Sequence, residues 1–343
     1  MKKFILALCV CLTVLTLVSS AFAEELWDWH LRGSDEGLAA GAIAPPGLYF
    51  INDSFWTGDW NLYGSNGNAV SGAKGSGYVD VPILLWNPGI APILGATYAC
   101  AISQPFMFTN VRLIAVDNLA ITGSQWGAYN TVLVPFILSW QLPWNFYVST
   151  SFSIGFDDGT TSPANSLAAT TKIDGPVYTF LGQKTTYGIP NNAYLWSSNN
   201  NYQFTPDIGL SWLYNGWNVS AEFMYTFYTN DSDCDIASGP ELSIDYTLTY
   251  TWERWTLGVG AETQNQTYPD KGNMLVDGKA VYGYVPGTMA YNASAGPIVG
   301  YNFGPCSLTF TYNFSIATRY DVGGDWALLR LIVPLGNPTD WWK

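Results

Sequence analysis

Asp207, Glu222, Asp245 and Glu262 occupy polar positions in four extended segments that follow one another along the chain. Clustered carboxylates are the raw material of acid–base chemistry and of cation binding. Every second side chain of an extended segment shares a face. Asp207 therefore stands in line with Gln203 and Thr205, and Glu222 with Ser220 and Thr226. Asp245 lines up with Ser243, Thr247 and Thr249, and Glu262 with Thr256 and Gln264. The bases that could answer these acids within such segments are few: Arg112, Arg319 and Arg330. A carboxylate in a dry interior costs several kcal/mol unless it is paired. The set therefore calls for water, for protonation or for bound cations. Asp207, Glu222, Asp245, Glu262, Arg112 and Arg330 are the candidate lining of a polar interior.

Other chemistry is poorly served. The chain has one histidine, His30, within Trp27-Asp28-Trp29-His30, ahead of the first long extended segment. A serine–histidine nucleophile built there would sit in the periplasm, away from the outer leaflet. The run Asp231-Ser232-Asp233-Cys234-Asp235 lacks the spacing and glycine of a calcium loop. Gly258-Val259-Gly260 falls inside an extended segment and reads as close strand packing, not as a phosphate cradle. No catalytic residue, metal site or cofactor is assigned, and the chain is read as a non-enzyme.

The segments carrying these residues define the class. Of 343 residues only 11% are charged, while 16% are aromatic and 34 are glycine. Soluble domains carry roughly 25% charged residues. A net charge of −13 disfavours nucleic acid as a partner. Leu242 to Trp252 alternates apolar and polar residues for eleven positions without a break, and Ser307 to Ile316 does the same. Segments of about 10–13 residues with one greasy and one wet face suit a tilted strand crossing a bilayer. Val81 to Ile102 is the nearest candidate for an apolar helix, but Pro82, Pro88 and Pro92 break it.

The connections set the topology. Tyr214-Asn215-Gly216-Trp217 is a two-residue hairpin, and Trp252-Glu253-Arg254-Trp255 and Phe303-Gly304-Pro305-Cys306 are equally tight. Segments 157–200, 230–239 and 268–291 are long and polar. Strands are predicted over 47–56, 77–86, 93–114 (bent near Pro105), 129–140, 144–156, 202–214, 217–229, 241–252, 255–267, 292–303, 307–318 and 326–335. The predicted fold is all-β: a single antiparallel up-and-down transmembrane β-barrel of about 12 strands, with short periplasmic turns and long extracellular loops. An even count leaves no free edge. Trp140, Trp144, Trp212, Trp217, Trp252 and Trp255 fall beside the short turns, as an interfacial aromatic girdle requires. Phe50, Phe55, Trp56, Trp60, Phe106 and Phe108 serve either as lipid contacts or as the walls of an apolar pocket.

Residues 1–23 read as a signal peptide: Lys2 and Lys3, an apolar run, then Ala21-Phe22-Ala23. Residues 24–46 are expected as a periplasmic N-terminal segment, 47–335 as the barrel and 336–343 as a periplasmic tail. The exported chain keeps Cys100, Cys234 and Cys306, with no metal-ligand spacing among them.

Several stretches resemble one family. They are Pro45-Pro46-Gly47-Leu48-Tyr49-Phe50, Val134 to Trp140, Gly209 to Trp217, Gly239 to Tyr246 and Leu329 to Leu335. Their order and spacing are similar to those of the "MetA-pathway of phenol degradation" family of outer-membrane proteins. The 157–200 segment and the tail after 336 depart from that pattern. The resemblance implies an outer-membrane channel for passive uptake of small molecules, aromatic or hydrophobic ones in particular, in a Gram-negative bacterium. Its expected partners are outer-membrane lipid, lipopolysaccharide and such solutes. The alternative is a plugged structural or surface-interaction barrel with an acidic lumen and partner-binding extracellular loops.

Overall fold

The computed structural model describes residues 30–338 apart from 65, 91, 115–119, 161–167, 175–177, 181–182, 187–188, 191–200, 230–235, 269–270, 273–274, 277–278 and 281–288. The expected signal peptide and Cys234 lie outside the described residues. Twelve antiparallel strands close into one barrel. They are β1 (Gly47–Tyr63), β2 (Ala69–Asn87), β3 (Thr97–Ser103 and Phe106–Ile114), β4 (Ala120–Ala128 and Val132–Gln141), β5 (Phe146–Gly155) and β6 (Gln203–Tyr214). The circuit continues with β7 (Trp217–Tyr228), β8 (Glu241–Trp252), β9 (Trp255–Gln266), β10 (Tyr291–Asn302), β11 (Ser307–Arg319) and β12 (Trp326–Gly336). Closure runs through β1, which pairs with β12 from Leu48↔Gly336 to Thr57↔Trp326 and with β2 along its other edge.

Residues 97–114 form the single bent strand expected over 93–114. Ser103 to Cys100 pairs with Ile83 to Trp86 of β2, and Phe106 to Leu113 continues along Asp80 to Ala73 of the same strand. The break falls at Gln104–Pro105, where proline has no N–H to give the ladder. β4 breaks beside it, at Tyr129–Thr131. The Tyr129 N–H donates to the Pro105 carbonyl at 2.9 Å, and the Gln104 amide donates to the Tyr129 carbonyl at 2.7 Å.

Strand ends at the short turns match the sequence reading to within two residues, apart from β3, which begins at Thr97 and not at 93. At Asn215–Gly216 both residues have positive φ, 47° and 86°, the conformation that matches a tight hairpin to strand twist. The other end differs. β1, β2 and β4 run further than the predicted 47–56, 77–86 and 129–140. Segment 157–200, expected as loop, contains the strand Ala168–Asp174 paired with Trp126 to Ala120. Backbone pairing extends this side of the sheet past the length set by a bilayer. Its glycine-rich sequence (Gly72, Gly75, Gly77, Gly123, Gly127) carries too little apolar alternation to announce it.

The outer face is mainly apolar, apart from Asn52 and Ser54, which bond Asp80. On β8, Tyr246, Leu248 and Tyr250 are exposed, while Ser243, Asp245, Thr247 and Thr249 between them are buried inside. The inner face has two zones. From β6 to β10 it is mostly polar, with Met224 and Ile298 as buried apolar exceptions. On β1, β2, β3 and β12 it carries an apolar cluster of Phe55, Val79, Met107, Trp326 and Leu328, joined by Tyr129 at the β4 break.

Candidate functional site: the occupied lumen

Residues 30–44 run through the barrel interior. This corrects the periplasmic placement expected for 24–46, as far as that segment is described. The segment turns back on itself through short contacts: Ser34 to Leu31, Glu36 to Gly33, Leu38 to Asp35 and Ala42 to Ala39. Such turns leave many backbone groups unpaired, and a buried backbone group must find a partner. The wall supplies them. The Gly37 N–H donates to Thr247 Oγ1 and the Gly41 N–H to Ser211 Oγ, both at 2.8 Å. Ser139 Oγ donates to the Gly41 carbonyl at 2.6 Å, Ser149 Oγ to the Ala40 carbonyl at 2.8 Å and Asn218 Nδ2 to the Leu38 carbonyl at 3.0 Å. The inward serine, threonine and asparagine positions thus act as side-chain partners for a plug. Gly41 and Gly209 permit the approach: a Cβ on Gly41 would strike the Tyr147 carbonyl, and one on Gly209 the Ala40 carbonyl.

The expected lining residues are found as follows. Glu222, Asp245 and Glu262 are cross-strand neighbours in one row over β7, β8 and β9. Asp207 lies on the inner face of β6, bonded to the Ser151 hydroxyl and backbone N–H. Arg330, on β12, is 2% exposed and grips Asp53 through two bonds of 2.7 and 2.8 Å. Its guanidinium also donates to the carbonyls of Glu36 and Ser34 in the plug. The backbone of Arg112 pairs with Lys74 and Thr122, and its side chain lies outside the described residues. Among the girdle tryptophans, Trp144, Trp217, Trp252 and Trp255 are exposed beside the short turns, and Trp140 and Trp212 are half-buried there. Cys100 and Cys306 are free thiols.

The plug brings its own charges to the acidic row. His30 Nε2 sits 3.1 Å from Asp245 Oδ2, which also accepts the Asp35 N–H at 2.9 Å. Arg32 pairs with Asp321 at 3.1 Å and donates to Gln264 at 2.8 Å. Glu36 Oε1 accepts from Asn313 Nδ2 at 2.7 Å. Burial works against the charge on His30, but Asp245 outweighs it and the imidazole is raised to about 9. Burial, then the charge of Asp245, pushes the Glu36 carboxyl up to about 9 and raises that of Asp35. Sequence reading placed His30 on the periplasmic side, ahead of the first strand, because nothing in its local pattern shows the chain entering the lumen.

On the long-loop side of the plug lies an apolar cavity of about 100 Å³. Leu31 of the plug closes one side, Phe55, Trp60, Val79, Met107 and Trp326 give it large apolar walls, and Arg32 and Asp321 border it. Of the aromatic residues left between two roles by the sequence, Phe55 and Trp60 line this pocket. Trp56, Phe106 and Phe108 face outward and Phe50 is half-buried. The adjacent wall is incomplete as a sheet. β12 pairs with β11 only as far as Asn313↔Trp326, and residues 320–325 fill the gap to β1. An outer cavity of about 490 Å³ lies there, and Gly324 lines both cavities.

The family described as MetA-pathway of phenol degradation matches residues 186–331. That range holds Gly209 to Trp217 and Gly239 to Tyr246, two of the stretches that carried the resemblance; Pro45 to Phe50 and Val134 to Trp140 lie outside it. An outer membrane channel from Pseudomonas putida F1 is similar in structure, with a TM-score of 0.60 at 13% identity, covering 86% of this chain and 97% of that one. That likeness shows the fold. Two weaker ones are the translocator domain of the autotransporter NalP from Neisseria meningitidis and the monoaromatic hydrocarbon channel CymD. The first has a TM-score of 0.47 at 9% identity, covering 85% of this chain and 90% of that one. The second has a TM-score of 0.41 at 9% identity, covering 86% and 90%. No curated protein sequence matches the chain significantly.

Proposed function

We propose that the chain is an outer-membrane channel for passive uptake of small apolar compounds, single aromatic rings in particular, with its short turns in the periplasm and its long loops outside. The carrying observation is an apolar pocket set on top of a polar plug. An apolar cavity of roughly 150 Å³ in a protein core takes up benzene without water, so a pocket of about 100 Å³ is on the scale of one ring. The plug, held by wall side chains and by Arg330, closes the axial route beneath it. A solute in the pocket then leaves sideways, past Gly324, where only the two-residue strand Val322–Gly323 continues the wall along β1. Passage needs no nucleophile, and His30 is committed to Asp245. The name of the matched family agrees with this solute class.

The plug equally favours a second reading, a closed structural barrel, and uptake separates the two. Cells carrying the protein should accumulate labelled toluene faster than cells lacking it. Filling the pocket with Met107→Trp should lower that rate by roughly tenfold, since over-packing leaves no room for a ring. Equal uptake with and without the protein would leave the structural barrel as the better account.

A further inference from the structure

We infer that His30, Asp35 and Asp245 form a site for one divalent transition cation, which fastens the plug to the barrel wall. One nitrogen and two carboxylate oxygens from these residues lie within 4.8 Å of one another. Ligands around a tetrahedral zinc ion, with bonds of about 2.0–2.1 Å, are separated by roughly 3.3 Å. The His30 Nε2 to Asp245 Oδ2 distance of 3.1 Å is already close to that. The donor set mixes imidazole with carboxylates, which suits zinc, manganese or iron better than calcium or magnesium.

A second observation points to a ligand. Asp245 is 3% exposed, yet its Oδ1 has no hydrogen-bond partner among the described residues. Across the β8–β9 ladder, Glu262 is 2% exposed and its Oε2 is also unpartnered. Buried polar atoms are rarely left this way. The local charge is one-sided as well. Asp35 and Asp245 stand beside His30, and Glu222 and Glu262 flank Asp245 across the ladder, while Arg330 is spent on Asp53 and Arg32 on Asp321. Like charges placed directly across a ladder repel. A dication held by two carboxylates cancels both charges, which a single imidazolium does not. Two of its ligands come from the plug and one from β8, so binding the ion ties the plug to the wall.

The test uses the mature protein folded in detergent, dialysed against zinc chloride and then against metal-free buffer, with retained zinc measured by mass spectrometry. The wild type should keep about one zinc per chain. His30→Ala and Asp35→Asn both lie in the plug, outside the strands. Each should weaken zinc retention by roughly tenfold or more, while Glu253→Gln in the exposed β8–β9 turn should not. Heat-modified gel migration confirms that each variant still forms the barrel. Cobalt(II) should give the visible absorption of a four- or five-coordinate ion in the wild type alone of these three plug sequences. A wild type that retains no zinc overturns the site, as does zinc kept undiminished by both plug variants.

Discussion

Arg330 shows how much of the interior rests on single side chains. It is buried, it forks onto Asp53, and it caps two carbonyls of the plug. Removing one partner of a buried ion pair leaves the other charge uncompensated, at about 3–5 kcal/mol. Arg330→Met should therefore destabilise the folded barrel by about that amount in urea titration. The double variant Arg330→Met, Asp53→Leu should recover most of it. A single variant as stable as the wild type would mean that the pair is solvated. Arg330 was readable from the sequence as one of the few bases within a predicted strand, although its in-phase neighbours Leu328 and Ile332 are apolar and do not mark a polar face. Its partner was not: Asp53 lies on β1, whose Asn52, Asp53 and Ser54 break the alternation that marks a strand face.

At the scale of elements, the strands with strict alternation were legible down to their ends. β7, β8 and β9 each present a greasy and a wet face, and a slip of one residue would exchange the two. β4 and the upper parts of β1 and β2 were less legible. Ala120–Ala128 contains two glycines, and it pairs along its length with Phe106–Ile114. The plug was invisible for a related reason. Residues 31–46 carry small and turn-forming side chains with no period of 2 or 3.6. What holds them is the row of wall hydroxyls, which the sequence displays but which reads equally well as water contact. Deleting 30–44 should leave those hydroxyls and the acids Asp207, Glu222, Asp245 and Glu262 facing water. Planar-bilayer recordings should then show steady cation-selective current where the intact protein is nearly silent, because an acidic ring favours cations. Neutralising Glu222 and Glu262 in the deleted form should move the reversal potential toward zero. Silence from the deleted form would show that the lumen is closed by something other than the plug.

The whole molecule divides by side. Around β6 to β10 the interior is mostly polar and bonded to the plug; around β1 to β3 and β12 it is mostly apolar apart from the Asp53–Arg330 pair, and holds a cavity. The outer surface is mainly apolar over the strand region, as a barrel in lipid requires, with one polar group on β1 and β2 where Asn52, Ser54 and Tyr78 bond Asp80. This division places an apolar solute between a fixed plug and a wall completed by residues 320–325. Sideways exit then predicts that uptake does not need the plug to move. The direct measurement locks it: Ala40→Cys with Ser149→Cys, whose parent side chain bonds the Ala40 carbonyl at 2.8 Å, in a chain with Cys100, Cys234 and Cys306 replaced by serine. Toluene uptake by cells carrying the oxidised, cross-linked protein should equal that of the reduced form. Uptake that stops on oxidation and returns on reduction would contradict a sideways exit and make the plug itself the gate.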